Sequence, residues 1–423
     1  MIQWTLLALF LLGGVSAPPP PSVLVVSIDG LPWRTWLAER DHLPTLRALT
    51  AGGTQLPLQT VFPSVTWPAH ATFLTGSLPR QHGVVGNHLL QRPDQKPLEL
   101  WQLPATALRV PTLFAAFAAA QRSTAAVMWP NTAGAPGLDW QIPEVYGQAA
   151  FARGTTPGLL GELAASGLPT TELGRLAADE AFLLDAFTRD AAVWLIQHKQ
   201  PRLLLLHFLA VDTTAHTYGP DGRPPRWALR SIDALLADVL AAYATAGRAE
   251  TLRVIVVSDH GFVALRTALD PATLAPPPLR RRVHSVANGQ ALFVYLDAVS
   301  PMETTALVAA WRRQPEIAEV VLPADFAALG LPAATQLPEM PDAILVARAD
   351  VLWTARRGAL TTLGMHGGQP ADPQLRGVFL ASAAVPMAGP RALVLATDVA
   401  DLILQAGGLP GLATPPELPA VRR

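Results

Sequence analysis

With 423 residues, and 31 Lys and Arg against 32 Asp and Glu, the chain has room for one large α/β domain with an insertion, or for two domains. Its nearly balanced charge and scarcity of Lys exclude a basic nucleic-acid-binding face. The absence of cysteine excludes disulfides, thiolate metal sites, a Cys nucleophile and a lipid anchor on Cys, so any metal must be held by His and carboxylates, a donor set that suits zinc or similar divalent ions.

Residues 1–17 contain the apolar run Trp4 to Leu12 followed by Gly13-Gly14-Val15-Ser16-Ala17. The run is too short to span a membrane, and small residues at Val15 and Ala17 resemble a secretory cleavage site. The expectation is a signal peptide, a periplasmic or secreted protein, and no membrane span in the mature chain. Residues 18–21, all Pro, read as a stiff extended spacer.

The apolar run Val23-Leu24-Val25-Val26 ends on Ser27-Ile28-Asp29-Gly30, the pattern of a buried strand that delivers a carboxylate to its carboxyl end, where open α/β sheets hold ligands. Leu43 to Leu49 reads as a short helix stopped by Gly52-Gly53. In Phe62-Pro63-Ser64-Val65-Thr66-Trp67-Pro68-Ala69-His70, Pro68 suits the first turn of a helix, which places Thr66 at a helix N-terminus, where anions are favoured. Leu89 to Pro111 reads as a loop over the site, Thr112 to Ala120 as a helix and Ser123 to Trp129 as a strand. Pro130 to Gly167, rich in Gly and Pro with Trp140, Tyr146 and Phe151, reads as a binding loop or lid.

Glu172 to Gln197 has helical spacing. Pro201 to Leu209 is a second buried strand, leading to Ala210-Val211-Asp212-Thr213-Thr214-Ala215-His216. A helix over Trp227 to Ala246 follows, then a third apolar strand, Leu252 to Ser258, ending in Asp259-His260-Gly261. Three buried strands separated by helices, each finishing on an acid, predict an α/β fold: a central, mostly parallel sheet with helices on both faces. Residues 263–351 change character and suggest a small α+β insertion, with a strand at Gln290 to Leu296, a helix at Glu303 to Arg313 and a strand at Glu319 to Leu322. Residues 22–262 and 352–423 then form the main domain. Its sheet is expected to resume near Leu363 to Gly368 and at Arg376 to Ala381, before a closing helix at Asp398 to Gln405.

Strand ends and tight turns thus supply Asp29, Thr66, Asp212, His216, Asp259, His260 and His366. They divide into Asp29, Thr66, Asp259 and His260 around one ion and Asp212, His216 and His366 around another, each set leaving room for substrate or water. Two divalent ions roughly 4 Å apart can clamp the entering and leaving oxygens of an in-line displacement at phosphorus. A metal-bound Thr66 alkoxide would be a far better nucleophile than free threonine. Taken singly, each residue also reads as a turn, a cap or a loop group. Their repetition at the ends of apolar strands is what argues for a site. His70, His82, His88, His207 and His284 lack that placement and read as structural or peripheral.

On Ser27 to Gly30, Phe62 to His70 with Phe73-Leu74-Thr75-Gly76, His82-Gly83 with Asn87, Asp212 to His216, Asp259-His260-Gly261 and His366-Gly367, the chain resembles the alkaline phosphatase superfamily and, within it, the nucleotide pyrophosphatase/phosphodiesterase family. The resemblance implies an alkaline-phosphatase-like fold, two Zn2+ ions per chain, and a Thr66 that becomes phosphorylated. It implies an Asn87 that donates to a non-bridging phosphoryl oxygen, and a small nucleotide or phosphodiester substrate. Trp67 sits where these diesterases carry an aromatic that stacks on a nucleobase, and Tyr146 is the candidate second stacking partner. A sulfatase is disfavoured because Thr66, whose carbon bears a methyl group, cannot be oxidised to the required aldehyde. An alkaline phosphatase proper is disfavoured because the nucleophile has no neighbouring Arg to hold a dianion. A phosphonoacetate-type hydrolase is the nearest enzymatic alternative, and a metal-binding protein without turnover is the alternative of another class.

Overall fold

The computed structural model describes residues 19–99, 104–171, 173–176, 180–355, 359–387 and 389–413. Eight strands form the main sheet: β1 (Ser22–Ile28), β2 (Thr54–Gln59), β3 (Thr124–Val127), β4 (Trp140–Ile142), β5 (Leu203–Phe208), β6 (Leu252–Val257), β7 (Gly377–Ala381) and β8 (Val394–Leu395), in the order β8-β2-β7-β6-β1-β5-β3-β4. β7 runs against its neighbours β2 and β6, and the other pairings are parallel.

The three runs of apolar residues sit at the centre because both their faces are covered. Leu24, Val26, Leu204, Leu206, Val254 and Val256 pack with helices α2 (Ala181–His198) and α4 (Arg223–Thr245) on one side. Val23, Val25, Leu203, Leu205, Ile255 and Val257 face the other layer, which holds Phe73 and Leu74 of α1 (Thr66–Thr75) and Leu402 and Ile403 of the last helix, Val399–Ala406. A strand buried on both faces gains from every residue, about 1.5–3 kcal/mol per Val, Leu or Ile side chain removed from water. A charge at Val25 would leave an unpaired ion in that layer.

A four-stranded antiparallel sheet, in the order Val283–Asn288, Ala291–Leu296, Ala343–Ala347, Ile317–Val321, lies beside the main sheet with helix Pro301–Trp311. Leu292, Val294 and Leu345 pack with Leu307 and Trp311. Phe293, Tyr295, Ile344 and Val346 pack with Phe62, Trp67 and Ala71, which ties this sheet to the start of α1.

Several local expectations are corrected. Leu89 to Pro111 is not one loop, since His88–Gln91 and Lys96–Glu99 form a hairpin; its β-period was hidden by Pro93 and Pro97. Pro130 to Gly167 is not an irregular loop throughout, although Glu144 and Tyr146 within it do line the cavity beside Thr66. It supplies the edge strand β4 and helices Gln148–Gly154 and Leu159–Ala165, whose Phe151, Leu159 and Leu163 are buried in the core. The helix expected from Glu172 begins at Ala181, after a short turn over Leu173–Arg175, and Gly174 within that turn disfavours helix. Gly364–Met365 pairs with Val263–Ala264 in a separate ribbon rather than rejoining the main sheet. The polar Thr54–Gln59 segment is a sheet strand that the apolar pattern did not reveal. The signal segment expected at residues 1–17, and Pro18, lie outside the described residues. Pro19 to Pro21 are neither helix nor strand. No described helix is long and apolar enough to cross a membrane.

Candidate active site

Register brings the first candidate ligands together. Ser27 of β1 lies opposite Val257 of β6, so the acids two residues further on, Asp29 and Asp259, leave the sheet side by side. The corner after Asp29 requires glycine. Gly30 has φ +64°, a Cβ there would stand 2.5 Å from the Phe262 ring, and its N–H donates to Asp259 Oδ1 at 3.0 Å. His260 Nε2 lies 3.4 Å from Asp29 Oδ1 and 3.3 Å from Asp259 Oδ2.

The neighbouring strand β5 leads into helix α3 (Ala210–Tyr218). Asp212 and His216 are one turn apart and therefore face the same way, with His216 Nε2 3.4 Å from Asp212 Oδ2. Asp185 of α2 holds the start of α3, accepting the Leu209 and Ala210 N–H groups at 2.7 and 3.1 Å. Past the Gly364–Met365 ribbon, His366 brings its Nε2 to 3.7 Å from Asp212 Oδ1 and 3.2 Å from His216 Nε2. The His260 and His366 rings stack at 3.6 Å, so the two groups of candidate ligands share a wall.

Tautomers decide what these groups can do. His216, His260 and His366 each donate Nδ1–H to a main-chain carbonyl, of Gly364, Gly261 and Ser64 respectively, at 3.0, 3.1 and 3.0 Å. In the neutral rings the Nε2 atoms then present bare lone pairs to each other and to carboxylates, which is repulsive unless a cation lies between them. Burial pushes the His260 pKa down to about 3 and holds His366 well below its ordinary value. Burial, then the nearby Asp259 and Asp212 charges, raise Asp29 well above the usual carboxylate range. Burial also carries Asp212 up to about 6, with His216 opposing. Asp29 Oδ1, Asp212 Oδ1, Asp259 Oδ2 and His260 Nε2 are buried without a hydrogen-bond partner. Asp29, Asp259 and His260 form one compact ligand group and Asp212, His216 and His366 another. Neutral imidazole and carboxylate donors converging without a proton between them fit divalent cations.

Thr66 is the first residue of α1 and lines a cavity of about 290 Å3 together with Asp29, Asn87, Asp212, His216 and His366. Its carbonyl accepts Nδ1–H of His70 at 2.9 Å, and His70 Nε2 meets the Ser27 hydroxyl at 2.9 Å, so the helix start is tied to β1. Asn87 Oδ1 accepts the Trp67 N–H at 3.1 Å, which leaves the Asn87 NH2 as the group able to donate to a ligand. Trp67 and Tyr146 also line the cavity. Trp67 is 5% exposed and belongs at the same time to the apolar cluster under the small sheet, whereas Tyr146 is half-buried and donates its hydroxyl to Glu144 Oε1 at 2.7 Å.

Two neighbours of the site, Asn288 and Glu144, went unnoticed in the sequence, and a third, His207, was read as structural or peripheral although it contacts Asp29. His207 is buried, with Nδ1 2.8 Å from Glu144 Oε2 and Nε2 3.2 Å from Asp29 Oδ2. Burial disfavours its charge, but Glu144 and Asp29 outweigh that and raise its pKa well above the ordinary value. The available signal was a single polar residue inside Leu203-Leu204-Leu205-Leu206-His207-Phe208. Asn288 accepts the Asn87 and His88 N–H groups at 2.7 and 2.9 Å, and its position before Gly289 disguised it as an ordinary hairpin residue. Glu144 had no sequence signal. His70 and His82 are buried structural histidines: His82 meets Thr72 Oγ1 at 3.1 Å.

The profile of the type I phosphodiesterase / nucleotide pyrophosphatase family matches residues 23–369. Among curated relatives, the bis(5'-adenosyl)-triphosphatase ENPP4 of Bos taurus is 26% identical over 262 residues, covering 59% of this chain and 49% of the relative. An uncharacterized pyrophosphatase/phosphodiesterase of Schizosaccharomyces pombe is 23% identical over 255 residues, with 57% and 44% covered. The chain thus spans about half the length of the curated relatives it matches. Solved structures share the fold. Murine ectonucleotide pyrophosphatase/phosphodiesterase 5, an inactive variant in complex with AMP, has a TM-score of 0.70 at 18% identity, covering 93% of this chain and 96% of that one. Phosphonoacetate hydrolase of Sinorhizobium meliloti with phosphonoacetate has 0.72 at 20%, covering 92% and 97%. With the profile matched from the first core strand to beyond His366, the chain belongs to the type I phosphodiesterase / nucleotide pyrophosphatase family of the alkaline phosphatase superfamily.

Proposed function

We propose that this protein is a two-zinc phosphodiesterase or nucleotide pyrophosphatase that works through a phosphothreonine at Thr66. Asp29, Thr66, Asp259 and His260 would hold one ion and Asp212, His216 and His366 the other; when bound, the ions supply positive charge at the attacking and departing oxygens. The observation that carries this reading is the pair of His216 and His366 Nε2 lone pairs facing each other at 3.2 Å over Asp212.

Thr66 Oγ loses its proton to solvent and forms a bond to phosphorus as the opposite P–O bond breaks, and the departing oxygen keeps the electron pair and is protonated from water. Water then breaks the P–Oγ bond, releasing a nucleoside monophosphate and restoring Thr66. Asn87, its amide orientation fixed by the Trp67 N–H, donates to a non-bridging phosphoryl oxygen where charge develops. Trp67 and Tyr146 flank the nucleobase.

A phosphonoacetate hydrolase would have to bind a substrate carboxylate, and no Lys or Arg is among the described residues lining this cavity. That favours the singly charged diester. The test is hydrolysis by zinc-loaded protein of p-nitrophenyl thymidylate, p-nitrophenyl phosphate and phosphonoacetate. The diester is expected to dominate; faster turnover of either other substrate overturns the reading, and zinc binding with no turnover on any of them would establish a non-catalytic metal protein.

A further inference from the structure

Phe262 follows Asp259-His260-Gly261 in the chain and is fully buried. Its ring centroid lies 4.9, 5.8 and 5.2 Å from those of His216, His260 and His366, at interplanar angles of 75°, 62° and 69°. These are edge-to-face contacts, an arrangement aromatic rings prefer at such distances. His260 belongs to one group of candidate ligands, and His216 and His366 belong to the other. One side chain with no donor atom of its own therefore touches every imidazole in the two groups.

The backbone around Phe262 is shaped to keep the ring there. A Cβ on Gly30 would stand 2.5 Å from the ring and one on Gly364 would stand 3.1 Å from it, so glycine at both positions clears the space the ring fills. The Phe262 N–H donates to the Gln374 carbonyl at 3.1 Å, and its carbonyl accepts Arg34 Nη1–H at 2.9 Å. Gly364, packed on one edge of the ring, also supplies the carbonyl that accepts His216 Nδ1–H.

We propose that Phe262 is a positioning residue for both ion sites: it fixes the tilt of His216, His260 and His366 together, and so sets zinc affinity in both groups without being a ligand. The inference rests on the two-zinc part of the proposed function and adds a residue that serves the two ions at once. A hydrogen bond through Nδ1 sets the tautomer of an imidazole but lets the ring tilt about that bond. A second contact, on the face or edge of the ring, stops the tilt and aims Nε2. Each of the three histidines has the first kind of contact with a main-chain carbonyl and the second kind with Phe262. An ordinary core phenylalanine would contribute to stability and leave the direction of the Nε2 lone pairs alone.

Zinc titration in competition with a chromogenic chelator, together with the visible spectrum of the Co2+-loaded protein, tests the assignment on Phe262→Leu, Phe262→Met and Phe117→Leu. Phe117 is the control because it is equally buried but packs in the layer of the last helix. Wild-type protein is expected to take two equivalents of zinc. In Phe262→Leu both equivalents should bind about tenfold more weakly, the scale of losing support behind a metal ligand, and the Co2+ bands should change with the ligand geometry. Phe262→Met keeps a flexible side chain of similar volume and should retain more affinity than the Leu variant; it carries the same readouts if Phe262→Leu does not fold. Phe117→Leu should lower Tm while leaving both affinities and the Co2+ spectrum as in wild type. Weakening of one equivalent only, unchanged affinities in both Phe262 variants, or an equal loss in Phe117→Leu overturns the positioning role and leaves the two-zinc reading standing. A wild-type protein that binds no zinc overturns both.

Discussion

His216 and His366 point their Nε2 atoms at each other across 3.2 Å, and each donates its Nδ1–H to a main-chain carbonyl. With both rings neutral, neither can relieve the other with a hydrogen bond. Zinc should therefore stabilise the folded chain by mass action, about 4 kcal/mol at a thousand times Kd, and chelation should lower Tm by several degrees. His366→Ala should remove close to half of the bound zinc, measured by elemental analysis. A Tm indifferent to both zinc and chelator would show that the cluster holds no metal.

Thr66 starts helix α1 in contact with the cavity, and its main-chain carbonyl is already committed to His70. Thr66→Ala removes only the hydroxyl and methyl, so zinc content and Tm should stay near those of wild type. Turnover should fall by at least about a thousandfold, as expected when a nucleophile is deleted. A residual rate within a factor of about ten would assign the attack to another group.

Asn288 fixes the turn that presents Asn87. Its Oδ1 takes two consecutive N–H groups, Nδ2 donates to the His88 carbonyl at 2.9 Å, and a Cβ on Gly86 would come within 2.6 Å of Oδ1. Asn288→Ala should lower kcat by about ten- to a hundredfold, somewhat less than loss of an oxyanion donor itself, with a smaller change in KM. Gly86→Ala should mimic it. If both variants keep wild-type kcat, Asn87 does not need this support.

Glu144, His207 and Asp29 form a buried chain in which one imidazole lies between two carboxylates, and the Tyr146 hydroxyl completes Glu144. His207→Leu leaves both carboxylates without that partner. Zinc affinity should fall by about 10–100-fold, the usual effect of removing support behind a metal ligand, and competition with a chromogenic chelator reads it directly. Tyr146→Phe, which spares the His207 contacts, should cost much less affinity.

Burial pushes the Asp185 carboxyl from its ordinary 3.8 up to about 7, against the lowering effect of the Leu209 and Ala210 N–H groups. A folded-state pKa above the unfolded one gives stability that is full below about pH 4 and is lost as pH rises through about 7. Between pH 5 and pH 8 the wild type should therefore lose on the order of 3 kcal/mol relative to Asp185→Asn, which cannot ionise. Parallel Tm profiles for the two proteins would contradict the shift.

The ends of strands were readable because a residue buried on both faces must be apolar, and the first acid after such a run marks where the chain meets solvent and ligand. That is why Asp29, Asp212 and Asp259 could be named from Val23 to Val26, Leu203 to Leu206 and Val254 to Val257. The same rule passed over Thr54–Gln59, whose mixed residues sit near the sheet edge and are mostly half-buried. It also misread 130–167, where Gly and Pro punctuate short edge elements that are nonetheless packed in the core.

Sequence alone determined which donor types are present and on which strand ends they stand, since those follow from local polarity and period. It could not pair them with their supports. His207 meets Asp29 because Ser27 and His207 share a register between β1 and β5. Asn288 meets Asn87 because the small sheet packs on the start of α1. Both are contacts between segments that only folding brings together, 178 and 201 residues apart in the chain for Asp29–His207 and Asn87–Asn288. Local propensity carries no information about such distant partners, and the free energy that selects them comes from packing the whole core.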